Sequence, residues 1–129
     1  MTKLKFFSEL PLTPKAIGPY SVASEGNGLV FLSGQIPINP ATGEVIQGSI
    51  EEQTTQVLEN ISNALKGLSL TFSQVLKTTI FLTDMAHFAS VNKLYEEKLL
   101  GAKPARSTVA VSGLPRGVLV EIEMIAVRG

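Results

Sequence analysis

The chain has 129 residues, 44% of them hydrophobic, which suits one compact domain with a buried core. Its 11 basic and 11 acidic residues give a formal net charge of zero, which argues against a surface built to bind a nucleic-acid backbone. Cysteine is absent and His87 is the single histidine, which excludes disulfides, thiolate nucleophiles and multi-histidine metal sites. No apolar stretch reaches the length of a signal or membrane segment, so we expect a soluble, cytoplasmic protein.

The N-terminal part of the sequence predicts an arm followed by a hairpin. Residues 1–19 are interrupted by prolines and predict an extended segment. Short strands are predicted over 20–23 and 29–35, joined by a glycine- and asparagine-rich turn over 25–28. Residues 37–48, with two prolines, predict a loop.

Two helices are predicted around a central strand. Ser49 and Glu52 have the spacing of a capping box, and apolar residues then recur every three or four positions up to Gly67. Branched residues over 75–82 predict a strand. A second helix is predicted over 84–100, with its first residue, an aspartate, as the N-cap.

The C-terminal part predicts two more strands, over 105–111 and 118–127. The turn-rich linker 112–117 between them favours an antiparallel hairpin. The whole order of elements predicts an α+β domain with a mixed sheet and both helices on one face. Because the strands are apolar or small on both sides, we expect a partner subunit to cover the second face, and therefore a homo-oligomer.

The last two strands carry the residues best suited to chemistry. Period-two alternation places Glu121 and Glu123 on one side of their strand, and Arg106 and Thr108 on one side of theirs. If the hairpin loop holds an even number of residues, Arg106 shares a face with the two glutamates. An arginine can then bind a substrate carboxylate while a glutamate activates water. The alternative is an interstrand salt bridge that only satisfies both charges.

Short motifs along the chain carry a resemblance to a known family. They are Ile17-Gly18-Pro19-Tyr20, Ser33-Gly34-Gln35-Ile36-Pro37 followed by Gly43-Glu44, Lys77-Thr78-Thr79, Val91-Asn92, Pro104-Ala105-Arg106-Ser107-Thr108-Val109, Leu114-Pro115 and Val120-Glu121-Ile122-Glu123. In this order they resemble the Rid (YjgF) family of 2-iminobutanoate/2-iminopropanoate deaminases over nearly the whole chain.

The resemblance implies a chorismate-mutase-like fold, assembled as a homotrimer with active sites between subunits. It implies hydrolysis of 2-aminoacrylate, 2-iminopropanoate and 2-iminobutanoate to 2-keto acids and ammonia, without a cofactor or metal. Arg106 is then expected to bind the substrate carboxylate and Glu121 to position the attacking water. The other residues expected to contact substrate are Tyr20, Ser33, Gly34, Asn92 and Thr108.

One residue departs from the family pattern, because many deaminating members carry cysteine where this chain has Thr108. Chemistry that needs only water, an arginine and a glutamate tolerates this change. Three other functions stay open at this stage. They are a sensor that binds a 2-keto acid or amino acid without turnover, an RNA-directed translation inhibitor, and a purely structural trimer.

Overall fold

Six β-strands and two α-helices make up the fold of residues 3–129, the part of the chain that the computed structural model describes. The strands are Lys5–Phe7 (β1), Ala23–Gly26 (β2), Leu29–Gln35 (β3), Val75–Leu82 (β4), Ala105–Ala110 (β5) and Val120–Val127 (β6). The helices are Ile50–Gly67 (α1) and Phe88–Leu99 (α2). Neither helix combines the length and the apolar character that a bilayer span requires.

The strands form one mixed sheet in the order β1-β2-β3-β6-β4-β5. All neighbouring pairs are antiparallel except β4 and β5, which α2 connects as a crossover. The alternating residues Val120, Ile122, Met124 and Ala126 of β6 are almost fully buried in one core with apolar residues of both helices. The prediction of a mixed α+β sheet with two helices on one face is confirmed.

The predicted hairpin between the last two strands is wrong. β4 lies between β5 and β6, and it pairs in parallel with β5 and antiparallel with β6. The linker contains a 3₁₀ turn, Pro115–Gly117, and carries the chain past β4 instead of folding it straight back. Because β6 lies in the centre of the sheet, β3 and β4 pair with its two edges and its apolar side is buried. A strand at the outer edge of the sheet would leave one edge unpaired.

The N-terminal hairpin is confirmed with shifted bounds. β2 begins at Ala23, where the predicted strand was to end, and the turn is reduced to Asn27 and Gly28. Both turn residues have positive φ, 54° and 80°, as a two-residue hairpin turn requires. The proline-rich arm contains a short edge strand, β1, that the sequence pattern did not predict; Met1 and Thr2 lie outside the described residues.

Helix α1 begins as predicted. The Ser49 hydroxyl accepts a hydrogen bond from the Glu52 backbone N–H at 3.2 Å, and the Glu52 carboxylate accepts one from the Ser49 N–H at 3.1 Å. The second helix begins later than predicted, because the Asp84 side chain caps a 3₁₀ turn, Met85–His87, that precedes α2.

Arg128 joins three elements at the end of the sheet opposite the start of β6. Its guanidinium donates to both carboxylate oxygens of Glu25, at 2.8 and 3.1 Å, and to the Leu68 carbonyl at 2.7 Å. The hydrogen bond from Arg128 lowers the pKa of the Glu25 carboxyl below its usual value. This contact ties the β2–β3 hairpin to the end of α1.

We expect Arg128→Met to lower the free energy of unfolding by about 1–2 kcal/mol at pH 7, because three charge-assisted hydrogen bonds are lost. Since the folded pKa of Glu25 is lowered, its stabilising contribution is present above the unfolded pKa of about 4.3 and disappears as pH falls through the folded value. The difference between the two proteins should therefore shrink in acid. Urea unfolding at pH 7 and in acid measures this difference in the free energy of unfolding. Exposed Lys93→Met is the control, and equal losses of stability in Arg128→Met and Lys93→Met would contradict the role given to Arg128.

Candidate functional site

Arg106 and Glu121 lie on opposite faces of the sheet. Arg106 pairs with Thr78 of β4, whereas Glu121 pairs with Phe81. Thr78 and Phe81 are an odd number of residues apart on one strand, so their partners point to opposite sides. Arg106 therefore lies on the helix-covered face and Glu121 on the open face.

This geometry corrects two expectations that depended on the hairpin. Arg106 does not share a face with Glu121 and Glu123 within one chain, because β4 separates their strands and sets the register. The interstrand salt bridge considered as an alternative is also absent, since neither Arg106 nor Glu121 forms an ion pair within residues 3–129. Within residues 3–129, each of the two charges therefore lacks an opposite charge at salt-bridge distance.

The open face contains a cavity of about 470 Å³ that we call the Glu121 cavity. It brings together four residues predicted for the site: Tyr20, Ser33, Gly34 and Glu121. Glu123 also lines it, and most of the remaining wall is aliphatic. This half of the predicted site is assembled within a single chain.

A β-bulge gives the Glu121 carboxylate its place. Leu32 pairs with Met124 and Gln35 with Ile122, so two residues of β3, Ser33 and Gly34, oppose one residue of β6. The Ser33 hydroxyl donates to the Ser21 carbonyl at 2.6 Å, which fixes the bulge from the β2 side. A Cβ atom at Gly34 would lie 2.5 Å from Glu121 Oε2, so the carboxylate occupies the space that glycine leaves open.

Burial raises the pKa of the Glu121 carboxyl above its usual value, and the negative charge of Glu123 raises it further. A raised pKa gives the carboxyl access to both protonation states closer to neutral pH. That property suits a group that accepts a proton in one step and donates it in another.

A second cavity, of about 640 Å³, lies on the other side of the sheet, and we call it the Arg106 cavity. Arg106 and Asn92 line it, and the Arg106 Nη1 donates to the Asn92 Oδ1 at 2.7 Å. Arg106 remains exposed to solvent in the single chain. Thr108 lies on the same side of β5, where its buried hydroxyl has no hydrogen-bond partner within the described residues.

Two aromatic residues support the guanidinium. The Arg106 Cζ lies 5.0 Å from the centroid of the Tyr95 ring and 5.6 Å from that of Phe88. The Tyr95 hydroxyl donates to the buried Thr78 hydroxyl at 2.9 Å, which holds the ring in place. Neither aromatic was among the residues that the sequence predicted for the site. Their spacing with Asn92, at positions i, i+4 and i+7 of α2, was the signal that all three share one face.

Comparison with known proteins identifies the family. Residues 11–128 match the family model described as Endoribonuclease L-PSP. The chain belongs to this family, the Rid (YjgF) proteins. A mouse protein named 2-iminobutanoate/2-iminopropanoate deaminase is 42% identical over 116 residues, covering 90% of this chain and 86% of its own length.

Two solved structures extend the similarity of this Rid family chain to three dimensions. A Rid family protein from Yersinia pestis superposes with a TM-score of 0.91 at 47% identity, covering 98% of this chain and 99% of its own. The TdcF protein of E. coli, solved with bound serine, gives 0.88 at 38% identity, covering 97% and 100%.

We expect Gly34→Ala to displace the Glu121 carboxylate and to cost about 1–3 kcal/mol of stability, because the new Cβ overlaps the carboxylate oxygen. A crystal structure of the variant and its urea unfolding curve measure both effects. Gly113→Ala is the matched control, since a Cβ there meets no atom within 4 Å. An unmoved Glu121 in the Gly34 variant would refute this account of the bulge.

We expect Glu121→Gln to raise the free energy of unfolding at pH 7 and to leave it unchanged in acid. A carboxyl whose folded pKa is raised destabilises the fold when ionised, and this penalty is complete above the folded pKa and absent below the unfolded one. Urea unfolding at pH 7 and near pH 3.5 tests the sign. Exposed Glu96→Gln is the control, and a stability loss at pH 7 in Glu121→Gln alone would contradict the prediction.

Proposed function

We propose that this protein hydrolyses reactive 2-imino and enamine acids, such as 2-aminoacrylate, 2-iminopropanoate and 2-iminobutanoate, to 2-keto acids and ammonia. One observation carries the proposal beyond the family relationship. Arg106 and Glu121, the two charges this chemistry requires, each line a cavity, and neither forms a salt bridge within residues 3–129. The mouse relative's name supports the same reaction.

The Arg106 guanidinium is suited to bind the substrate carboxylate. Its Nη1 already donates to Asn92, and its face is supported by the rings of Phe88 and Tyr95. The remaining N–H groups are available for two parallel hydrogen bonds to a carboxylate. A substrate without a carboxylate would leave the arginine unpaired, so the site selects for acids.

Glu121 is suited to move protons. It accepts a proton from water as the oxygen attacks C2 of the protonated imine, forming a tetrahedral carbinolamine. The carboxylic acid then returns that proton to the nitrogen, and the C–N bond breaks as the carbinolamine hydroxyl gives its own proton to the Glu121 carboxylate. The products are the 2-keto acid and ammonia, which takes up that last proton to leave as ammonium. An enamine is first protonated at C3 to give the imine. The raised pKa of Glu121 makes its carboxylate a stronger base than that of an ordinary glutamate, which favours the step in which it takes the proton from water.

We propose further that each site draws on two copies of the chain, assembled as a homotrimer. A site that uses Arg106 from one face of the sheet and Glu121 from the other requires a second copy to bring them together. The open face offers apolar residues for such contacts: Phe31, Val109 and Val127 are 45%, 43% and 38% exposed. Tyr20, Ser33 and Gly34 would accompany Glu121, and Asn92 and Thr108 would accompany Arg106.

Binding without turnover is the second candidate, and one observation favours it. TdcF of E. coli was solved with bound serine, an amino acid that carries the same carboxylate as the proposed substrates. An RNA-directed function has the family's description in its favour, but the zero net charge gives little attraction to phosphate. Salt-dependent RNA binding would be needed to support that function.

We expect Arg106→Ala and Glu121→Gln each to reduce kcat/KM for keto acid formation from freshly generated 2-aminoacrylate by about 10²–10⁴-fold. Because the proposed reaction needs no thiolate, Thr108 in place of cysteine should not prevent this rate. Lys93→Ala and Glu51→Gln remove comparable exposed charges elsewhere and should keep wild-type activity. If wild type gives no acceleration over buffer with several imino acids, the deaminase function is wrong and ligand binding without turnover becomes the leading candidate.

Mixing the two inactive variants tests whether the site is shared. When Arg106→Ala and Glu121→Gln subunits are unfolded and reassembled together in equal amounts, about a quarter of the sites should combine both intact residues, with activity to match. Each variant reassembled alone should stay inactive. If mass spectrometry verifies the mixed assemblies and activity still does not return, the two residues belong to separate sites, each within a single chain.

A further inference from the structure

Helix α1 carries two buried amide side chains toward the end of the sheet where the Glu121 cavity lies. Gln53 is 5% exposed and Asn60 is fully buried. They are seven positions apart, about two helical turns, so they lie on the same side of the helix. A buried amide is costly unless it is hydrogen-bonded, and asparagine is a poor residue for a helix interior.

Gln53 holds the start of β6. Its Oε1 accepts a hydrogen bond from the Leu119 N–H at 2.8 Å, and its Nε2 donates to the Gly48 carbonyl at 3.5 Å. The Leu119 carbonyl in turn accepts from the Thr83 N–H at 3.2 Å, so both sides of this residue's backbone are fixed. Leu119 immediately precedes β6 and lies two residues before Glu121. Gln53 therefore anchors the backbone at the start of the strand that carries Glu121.

Asn60 holds the segment that forms the aliphatic wall of the Glu121 cavity. Its Nδ2 donates to the Ile38 carbonyl at 2.9 Å and to the Ile36 carbonyl at 3.4 Å, and its Oδ1 accepts from the Gln56 Nε2 at 2.9 Å. These carbonyls belong to the segment that leaves the sheet after β3. Ile36 and Ile38 both line the Glu121 cavity and form part of its aliphatic wall.

We propose that Gln53 and Asn60 are positioning residues of the Glu121 cavity, with Gln53 orienting the Glu121 carboxylate and Asn60 setting the aliphatic wall that meets the substrate side chain. Neither amide touches the cavity itself; each acts through a backbone segment that does. The kinetic part of this inference rests on the proposed deaminase function.

Different kinetic effects are expected from the two positions. Gln53→Met keeps the volume but removes the acceptor for Leu119, so kcat should fall about 10- to 100-fold with KM nearly unchanged, as expected for a misplaced proton-transfer group. Asn60→Leu releases the wall, so KM should rise about tenfold with kcat nearly unchanged, as expected for weaker side-chain binding. Gln53→Glu keeps an acceptor for Leu119 and should recover most of kcat.

The matched control is Arg128→Met. It also removes hydrogen bonds between elements, at the end of the sheet away from the cavity, and should lower stability while keeping both kcat and KM. Substrate for these assays is 2-iminobutanoate generated in the cuvette, with folding checked by circular dichroism. If Gln53→Met does not fold, Gln53→Asn, one methylene shorter, replaces it.

A second measurement does not depend on turnover. The titration midpoint of the Glu121 carboxyl, followed by ¹³C NMR, should shift in Gln53→Met and stay at the wild-type value in Arg128→Met. If wild type has no deaminase activity, the proposed function fails and this titration alone decides the role of Gln53. If both cavity variants match Arg128→Met in kcat, KM and Glu121 titration, the two amides only stabilise the fold and the inference is overturned.

Discussion

The central position of β6 is the constraint on which the rest of the structure depends. Its backbone pairs with β3 on one edge and β4 on the other, and its alternate residues from Val120 to Ala126 are buried beneath the helices. A shift of register by one residue would bring glutamates into the core and apolar side chains to the surface. Glu121 and Glu123 are therefore held on the open face by the packing of their neighbours. The bulge at Ser33 and Gly34 then needs only to leave room for one carboxylate.

Much of the fold follows from local pattern. The capping box at Ser49, the branched strand from Val75 to Leu82 and the asparagine–glycine turn of the first hairpin each depend on residues close together in the chain. Alternation along β6 likewise predicted that Glu121 and Glu123 share a side. These features are decided by neighbours within a few positions, where capping, periodicity and turn geometry act.

The pairing of the last two strands depends on distant residues, and local pattern did not predict it. The linker after β5 has the glycine and proline content of a hairpin turn, yet β4, more than twenty residues earlier, takes the place between the strands. That error placed Arg106 and Glu121 on one face. The family motifs predicted both residues as candidates because they depend on residue identity, whereas the position of Arg106 and Glu121 on opposite faces became visible only with the register. The same limit explains the roles of Phe88 and Tyr95, whose contact with Arg106 spans two elements.

The proposed division of one site between two copies would link activity to concentration. If one site requires Arg106 from one copy and Glu121 from another, a lone chain carries both residues and catalyses nothing. Specific activity would then fall on dilution below the dissociation constant of the assembly, and newly made chains would stay inert until they associate. A copy defective at both residues would also damage two sites, so assemblies with equal numbers of intact and defective copies would keep only about a quarter of their sites.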